Sequence, residues 1–338
     1  MLEGGEPDAS NLLLFFTIFA GAAFVWTPEL SQKLPSSLAE SGAASLIYTR
    51  LALFIVENTH QLSTPSVTAL AAMCNLAHLL INSNDFIVKV HMLRIRCLVM
   101  AREMGIHRLD TTKGRNAREL EKCNMIEIQV QRRIWWSMVA SDWLAAFSGG
   151  PHEGAYAIHP KHMNVCYPSN VDDELIMPTG VEHNFPLSTP TTTMSAFIQR
   201  LKLAELCREV VDAMPSMLLD IQEPDYAVIL ALDKKFHDYI EQLPVFFRLD
   251  ETSVRQSQKT ISSRRLEELE ICLFSHHVHP LGADSIGIAA SNGYPLRREP
   301  VLTSAQLDCH GACLSCGVDS SYGCEVQSER TGCRSSQS

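Results

Sequence analysis

Apolar residues recur every three or four positions up to about residue 250, and the strict alternation of a half-buried strand is hard to find. This spacing predicts amphipathic α-helices. We therefore predict an all-α fold, an irregular multi-helix bundle of about seven helices, and no regular solenoid because no repeat of constant length is evident. The predicted helices cover about 10–26, 38–57, 67–81, 86–104, 123–147, a stretch that begins after Pro190, and 225–243.

Two stretches depart from this helical pattern. Residues 149–190 contain six prolines, which predicts a long ordered connection across the surface. Beyond about Arg255 the helical stripe fades and Ser, Gly and Cys rise, so this part cannot easily bury enough apolar surface to fold alone. We divide the chain into a helical domain, 1–255, and a poorly structured Ser- and Cys-rich tail, 256–338. The change in texture fits a disrupted reading frame.

Composition places the chain among globular proteins and limits its contact with nucleic acid. Hydrophobic residues make up 46% and charged residues 20% of 338 positions. The formal net charge of −10 disfavours an electrostatic grip of the whole chain on phosphates. The fourth predicted helix carries four basic residues, interpreted as a solvated face, with an approach to DNA as the alternative. These residues are Lys89, Arg94, Arg96 and Arg102.

The apolar run from Leu12 to Trp26 raises the question of a membrane segment. It is about 15 residues long, short of the roughly 20 that span a bilayer. Acidic residues precede it and no basic residue does, so the positive flank of a signal peptide is missing. A buried core helix is the favoured interpretation, and a membrane anchor is the alternative.

Cysteine placement separates ten of the 11 thiols into two groups. Five are scattered, several at apolar helical positions, and are expected to be buried thiols in a reducing compartment: Cys74, Cys97, Cys123, Cys166 and Cys207. Five crowd the tail: Cys309, Cys313, Cys316, Cys324 and Cys333. Cys313 and Cys316 have zinc-like spacing, but no second such pair follows, so no metal site is predicted there. His276, His277 and His279 are interpreted as incidental.

Three of the four tryptophans lie in the fifth predicted helix, which has two apolar faces. Two such faces predict burial among neighbouring helices. Asp142 falls between the faces, where an unpaired carboxylate is costly, so it should find a cation or backbone donors. The favoured role is a structural ion pair or a carboxylate that holds a loop, and contact with a ligand is the alternative. Candidate cations are Arg94, Arg96 and Arg102.

Known catalytic motifs are missing from the sequence. The nucleophile elbow, the phosphate-binding loop, the dinucleotide fingerprint and the zinc-protease motif are all missing, so no catalysis is expected. One alternative is an all-α enzyme or small-molecule-binding protein. Its pocket would lie around helix 132–151, lined by Trp135, Met138, Asp142 and residues of the fourth helix.

Three segments together resemble the fungal-specific transcription factor domain, the middle homology or xylanolytic-activator type of regulatory region. They are AREMGIHRLD (101–110), RRIWWSMVASDWLAAFSGGP (132–151) and NVCYPSNVDDE (164–174). The matching positions are Gly105, His107, Arg108, Arg132, Arg133, Trp135, Trp136, Asp142, Gly149, Pro151, Pro168, Asp172 and Asp173. Trp143, Gly150 and Tyr167 depart from the family pattern, which puts an anion contact near the turn in doubt.

The resemblance implies a non-catalytic regulatory domain in the nucleus that controls transcription by RNA polymerase II. The family reads DNA through an N-terminal zinc cluster, and nothing like it precedes residue 86. We therefore expect no metal or other cofactor in this chain, and zinc only in a missing N-terminal cluster. Expected partners are the transcription machinery or regulatory proteins, with DNA reached only through that cluster or a partner. A small-molecule effector and a homodimer are further expectations; a membrane is not.

Overall fold

The computed structural model describes residues 8–25, 37–58, 64–81, 87–121, 124–148, 152–181, 184–187, 192–214, 225–248, 250 and 252–253. Within these ranges the chain is an all-α bundle, which confirms the predicted fold class. The described helices are α1 (Ala9–Phe24), α2 (Leu38–Asn58), α3 (Val67–Ile81), α4 (Ile87–Glu103), α5 (Thr112–Glu121), α6 (Met125–Phe147), α7 (Ser195–Ala213) and α8 (Tyr226–Gln242). The boundary at residue 255 stays a prediction, and the tail lies outside the described residues.

The core is formed by helices that contact one another in sequence. Helix α1 packs against α2 and α3, α3 against α4, and α6 against α7. More than half of α3 is buried, as its apolar residues on all sides predict. The buried stripe of α4 contains Val90, Leu93, Cys97 and Met100, again as predicted.

Helix α1 is buried on one face only. Leu13, Thr17 and Ala20 face the neighbouring helices, whereas Phe15 and Phe19 are each more than two-fifths exposed. The expectation of a buried core helix therefore holds for one face of α1 and not for the other. The reason lies in α2, whose small polar residues allow close approach along one side of α1. Ser41 and Ser45 of α2 donate hydrogen bonds to backbone carbonyls of α1 at 2.6 and 2.9 Å.

Among the described helices, α2 alone combines the length and composition to cross a membrane. It has 21 residues and contains an 18-residue stretch with a mean hydropathy of 1.3, whereas α1 is shorter. By length and composition, α2 is therefore a better candidate for a membrane-spanning helix than the first apolar run. Core helices of water-soluble proteins also have this length and composition.

Helix α5 lies between the fourth and fifth predicted helices, in a stretch for which no helix is predicted. Its sequence carries no apolar stripe, so hydrophobic periodicity gives no signal. Polar contacts hold it instead. The Thr111 hydroxyl accepts the Gly114 N–H at 3.1 Å, and the Arg118 guanidinium donates to the Leu109 carbonyl.

The connection between α6 and α7 is ordered where it is described. Residues 152–169, here called the covering segment, lie against α6 and contain a 3₁₀ turn at Pro160–His162. A second 3₁₀ turn, Asp173–Leu175, leads into a hairpin of β1 (Ile176–Met177) and β2 (Gly180–Val181). The strands are antiparallel, with Ile176 opposite Val181.

Helix α7 begins later than predicted, at Ser195 instead of directly after Pro190. The preceding residues form a buried polar turn. The Asn170 Oδ1 atom accepts hydrogen bonds from the Thr192 and Ser195 hydroxyls at 2.6 and 2.9 Å. This side-chain bonding competes with helical backbone bonding, which delays the start of the helix.

Candidate functional site

Helix α6 is the central strut of the described bundle. Its tryptophans are buried, and each indole N–H donates a hydrogen bond to the covering segment. The pairs are Trp135 Nε1 to Met163 Sδ at 3.3 Å, Trp136 Nε1 to the Cys166 carbonyl at 2.9 Å, and Trp143 Nε1 to the Ile158 carbonyl at 2.8 Å. The rings are thus buried on the two apolar faces of α6, while the indole hydrogen bonds hold the covering segment at a defined position along the helix.

A buried carboxylate, Asp110, joins α6 to the end of the 3₁₀ turn at Ile106–Arg108. Arg132 donates two hydrogen bonds to it, from Nε at 3.1 Å and from Nη2 at 2.6 Å. The Cys166 N–H adds a third at 2.7 Å, and Arg118 lies at 3.4 Å. Burial alone would raise the pKa of Asp110, but the bonds from Arg132 and Cys166 outweigh it and hold the pKa below its usual value.

Asp110 was not singled out from the sequence, although it ends the first motif segment. Arg132, its main partner, lies 22 residues along the chain, and Cys166 lies 56 residues away. The sequence does show a carboxylate in one motif segment and an arginine pair in the next. Residues so far apart in sequence can be paired only when the fold is known.

The second motif arginine makes a different kind of pair. Arg133 Nη2 lies 2.7 Å from Asp173 Oδ1, and the Asp173 side chain is 69% exposed. Asp110, by contrast, is 3% exposed. Neighbouring arginines on α6 thus form one ion pair with a buried carboxylate and one with an exposed carboxylate.

Asp142 holds the covering segment, as its position between two apolar faces predicts. Its Oδ2 accepts the N–H groups of Ala157 and Ile158 at 2.8 and 2.7 Å. Burial raises its pKa, and those two bonds and the charge of Arg94 oppose the rise. Arg102 donates to the Ala157 carbonyl at 3.4 Å, so it contacts the same segment without bonding to Asp142.

The basic residues of α4 are engaged with neighbouring helices. Arg96 donates to the Val56 carbonyl at 3.0 Å, and Lys89 lies 2.7 Å from Glu57. The expectation of a solvated polar face therefore holds for Lys89, whose side chain is 47% exposed, whereas Arg96 is half-buried. On the same helix, Val88 and Met92 are 76% and 65% exposed to solvent.

The remaining motif residues are dispersed around α6. Gly105 has a φ of 71°, which suits the residue that follows α4. The His107 ring centroid lies 6.2 Å from that of Trp135, and the Arg108 carbonyl accepts the Thr111 hydroxyl at 2.9 Å. Pro168 is buried, and Asp172 accepts the Thr193 N–H at 2.9 Å. Gly149 and Pro151 lie outside the described residues. The regulatory roles of all these residues stay predictions.

A cavity of about 330 Å³ lies between α3, α4, α6 and the covering segment. A pocket beside helix 132–151 was the alternative from the sequence, and Met138 and Asp142 do line this cavity. Trp135 does not, because its ring packs toward His107 and Met163. Three histidines that the sequence did not identify as part of this pocket also line it: His78, His91 and His152.

Two of these histidines contact each other. His91 Nδ1 and His152 Nε2 lie 2.5 Å apart, and the rings meet edge to face with centroids 4.2 Å apart. Burial, then His152 and Arg94, lower the pKa of His91. His91 therefore favours its neutral form, and one of the two contacting ring nitrogens donates a hydrogen bond to the other.

Within the described ranges, no group of three or more His, Cys, Asp or Glu side chains has a geometry that could hold a metal ion. The described cysteines, Cys74, Cys97, Cys166 and Cys207, are free thiols, and Cys166 is exposed instead of buried as expected. Cys123, the tail cysteines and His276, His277 and His279 lie outside the described residues.

The chain is similar to fungal proteins named as transcription factors. Over 257 residues, or 75% of its length, it is 34% identical to a probable transcription factor, lepB, of Aspergillus flavus. It is 29% identical over 255 residues to the agnestins biosynthesis cluster transcription factor AgnL11 of Paecilomyces divaricatus. It is 30% identical over 246 residues to the transcription factor TAS2 of Pyricularia oryzae.

These similarities confirm the resemblance at the level of named fungal transcription factors. The chain covers 45%, 37% and 30% of the three relatives, so it spans less than half of each. No family model matches the chain, and no solved structure matches it. The particular regulatory domain within such proteins therefore stays a prediction.

Proposed function

We infer that this chain is the regulatory, non-catalytic part of a fungal transcription factor that controls transcription by RNA polymerase II. The observation that carries the inference is its similarity, over 70–75% of its length, to three proteins named as transcription factors. The all-α bundle fits a regulatory region.

The described contacts support a role in transmitting a change of state. Helix α6 is tied to the covering segment by three indole bonds, by the carboxylate of Asp142 and by the Asp110–Arg132 pair. A ligand or partner that displaces the covering segment must break several of these bonds together. Bonds that break together make the attached and detached states of the segment distinct, and a regulatory switch requires two such states.

DNA contact belongs, in this proposal, to a zinc cluster outside the sequence or to a partner protein. The net charge of −10 favours that division of labour, since it opposes binding to phosphates by the whole chain. In this proposal the protein acts in the nucleus, together with the transcription machinery or regulatory proteins. Sequencing the 5′ end of the native transcript tests whether the protein carries a zinc cluster. An in-frame six-cysteine basic segment upstream of Met1 would support the cluster, and a message that begins at Met1 would rule it out.

The regulatory role itself is tested in the organism that carries the gene. An epitope tag on the native protein allows chromatin immunoprecipitation, and deletion of the gene is followed by RNA sequencing. We expect occupancy at promoters and changed transcript levels of the occupied genes. The proposal fails if deletion leaves every transcript unchanged under conditions in which immunoblots detect the protein.

A further inference from the structure

We propose that the exposed apolar face of α1 and α2 binds the same face of a second copy of this chain, with the two α2 helices antiparallel across a two-fold axis. The resemblance to transcription factors implies a homodimer without indicating which surface forms it. The inference goes beyond the regulatory role and rests on this surface, so it is tested by solution mass and cross-linking, with no transcription readout.

The α1–α2 face consists of nine large apolar residues of these two helices, four on α1 and five on α2, each between 36% and 63% exposed. The helices lie side by side, because Ser45 of α2 donates a hydrogen bond to the Ala20 carbonyl of α1 at 2.9 Å. Phe15 stacks on Phe19 with ring centroids 6.2 Å apart, and the Phe19 ring lies 5.6 Å from that of Tyr48 on α2. The exposed residues of the two helices therefore form one continuous surface.

The area of the α1–α2 face matches one side of a protein–protein interface. A large side chain that is free of contacts presents roughly 150–250 Å², so the exposed fractions of the nine residues amount to about 800 Å². A standard interface buries about 800 Å² on each partner, whereas the largest apolar patch on a monomer is typically about 300–600 Å². The face is therefore larger than a monomer usually leaves in water and large enough for a stable dimer.

A two-fold dimer needs a surface that is complementary to itself. The exposed side of α2 has this property, because its side chains change in size along the helix. Near its beginning the exposed residues Ala39 and Gly42 are small, whereas Leu51 and Phe54 near its end are large. An antiparallel pair of α2 helices sets the small half of each helix against the large half of the other.

The antiparallel pair has a defined register. When the two-fold axis passes between positions 46 and 47, Phe54 lies opposite Ala39 of the second copy, and Leu51 lies opposite Gly42. A Cβ added at Gly42 meets no atom within 4 Å in its own chain, so the space that a leucine side chain needs is open. In a parallel pair the large halves would meet each other, and the small halves would leave a gap.

Charge also favours the antiparallel direction. Arg50 and Glu40 are both exposed on α2. In this register Arg50 lies opposite position 43, three residues or about 4.5 Å along the axis from Glu40 of the second copy, and an arginine side chain spans that distance. Glu40 Oε2 accepts the Ser37 N–H at 2.8 Å, and a carboxylate has further acceptor positions for a guanidinium. A parallel pair would instead bring like charges together, which is unfavourable.

The same two charges argue against a membrane as the occupant of the face. Arg50 lies in the middle of the exposed side of α2, between Ile47 and Phe54. A bilayer core offers no opposite charge, and a cation buried there is costly. A second copy of the chain supplies Glu40, so the observations favour the second copy.

Sedimentation velocity of the purified full chain over a range of concentrations measures self-association. We expect the mass to rise from 37.6 kDa toward twice that value. Ile47→Arg sets two unpaired charges beside the two-fold axis and should weaken the dimer at least about tenfold. Met92→Arg is the matched control, since it replaces an apolar residue that is 65% exposed on α4, and it should dimerise as the wild type does.

Cross-linking tests the antiparallel register. Gly42→Cys and Leu51→Cys are purified separately, mixed and oxidised with diamide, and disulfide-linked dimers are measured on non-reducing gels. We expect the mixture to cross-link, because the two introduced thiols lie opposite each other. Positions 51 of the two copies lie nine residues, or about 13 Å, apart along the helices, which is beyond the reach of a disulfide. Each variant alone should therefore give only the background of the wild-type cysteines.

Cosedimentation with vesicles of phosphatidylcholine and phosphatidylserine tests the membrane as occupant, and we expect the chain to stay in the supernatant. The proposal is overturned by a mass that stays at 37.6 kDa at every concentration, by vesicle binding that Ile47→Arg abolishes, by equal weakening in Ile47→Arg and Met92→Arg, or by a mixture that cross-links no more than either cysteine variant alone. If circular dichroism melting shows that Ile47→Arg fails to fold, the cysteine variants decide the question. None of these outcomes affects the proposed regulatory function, because transcription is not measured.

Discussion

Replacement of Asp110 by alanine should be among the most destabilising single changes in the described bundle. Asp110 is 3% exposed and accepts hydrogen bonds from Arg132 at 2.6 and 3.1 Å and from the Cys166 N–H at 2.7 Å. Its removal leaves the Arg132 guanidinium, which is 16% exposed, without its buried counter-charge. Removal of one partner from a buried pair costs about 3–5 kcal/mol, and the partial exposure of Arg132 places the expected loss near 3 kcal/mol.

Urea unfolding of the purified chain, followed by tryptophan fluorescence, measures this loss. With a slope of about 1–3 kcal/mol per molar urea, a loss near 3 kcal/mol lowers the midpoint by about 1–3 M. Asp173→Ala is the matched control, since it removes the carboxylate that pairs with the adjacent Arg133 at the surface. That change should cost at most about 1 kcal/mol. Equal effects of the two substitutions would refute the reasoning, because burial is the difference between the pairs.

Three further predictions follow from the described contacts. The pKa of Asp110 is lowered in the folded state, so its contribution to stability is present above about pH 4 and is lost as the pH falls through the folded-state value. The difference in unfolding free energy between wild type and Asp110→Asn should therefore shrink on acidification. A constant difference from pH 7 to pH 3 would contradict this. Asp142→Ala leaves two backbone N–H groups of the covering segment without their acceptor and should lower the free energy of unfolding by about 1–3 kcal/mol. Hydrogen exchange should accelerate at these two amides. Unchanged exchange would argue against the assigned contact. Gly105→Ala should destabilise the protein by about 1 kcal/mol because the φ of Gly105 is 71°. Gly42→Ala, inside α2 with open space around it, should stabilise the protein by about 0.5–1 kcal/mol. Thermal melting measures both changes, and two changes of the same sign would count against the backbone argument.

Sequence patterns predict the helices whose stability depends on an apolar stripe. Helices α3, α4 and α6 appear close to their predicted positions because one or more of their faces is buried. Helix α5 was missed because side-chain bonds hold it instead of a stripe. The start of α7 was misplaced for a related reason: a polar turn around Asn170 occupies the residues before Ser195.

The site residues that could be predicted are also those whose role depends on their own helix. Asp142 was predicted to hold a loop, because a carboxylate between two apolar faces needs donors whatever the fold. The Asp110–Arg132 pair and the His91–His152 pair were not predicted, because each joins residues far apart in sequence. The cavity was placed beside the right helix, but its other walls belong to α3 and α4, whose approach to α6 is a property of packing.

The central claim, that this chain regulates transcription, is tested most directly by tethering. The chain is fused to a heterologous DNA-binding domain in a fungal host that carries a matching reporter gene, and reporter transcript is measured against the DNA-binding domain alone. The account predicts that the fusion changes the transcript level, that Asp173→Ala keeps the change, and that Asp110→Ala diminishes it. Reporter transcript equal to that of the DNA-binding domain alone, with the fusion intact on immunoblots, would contradict the claim.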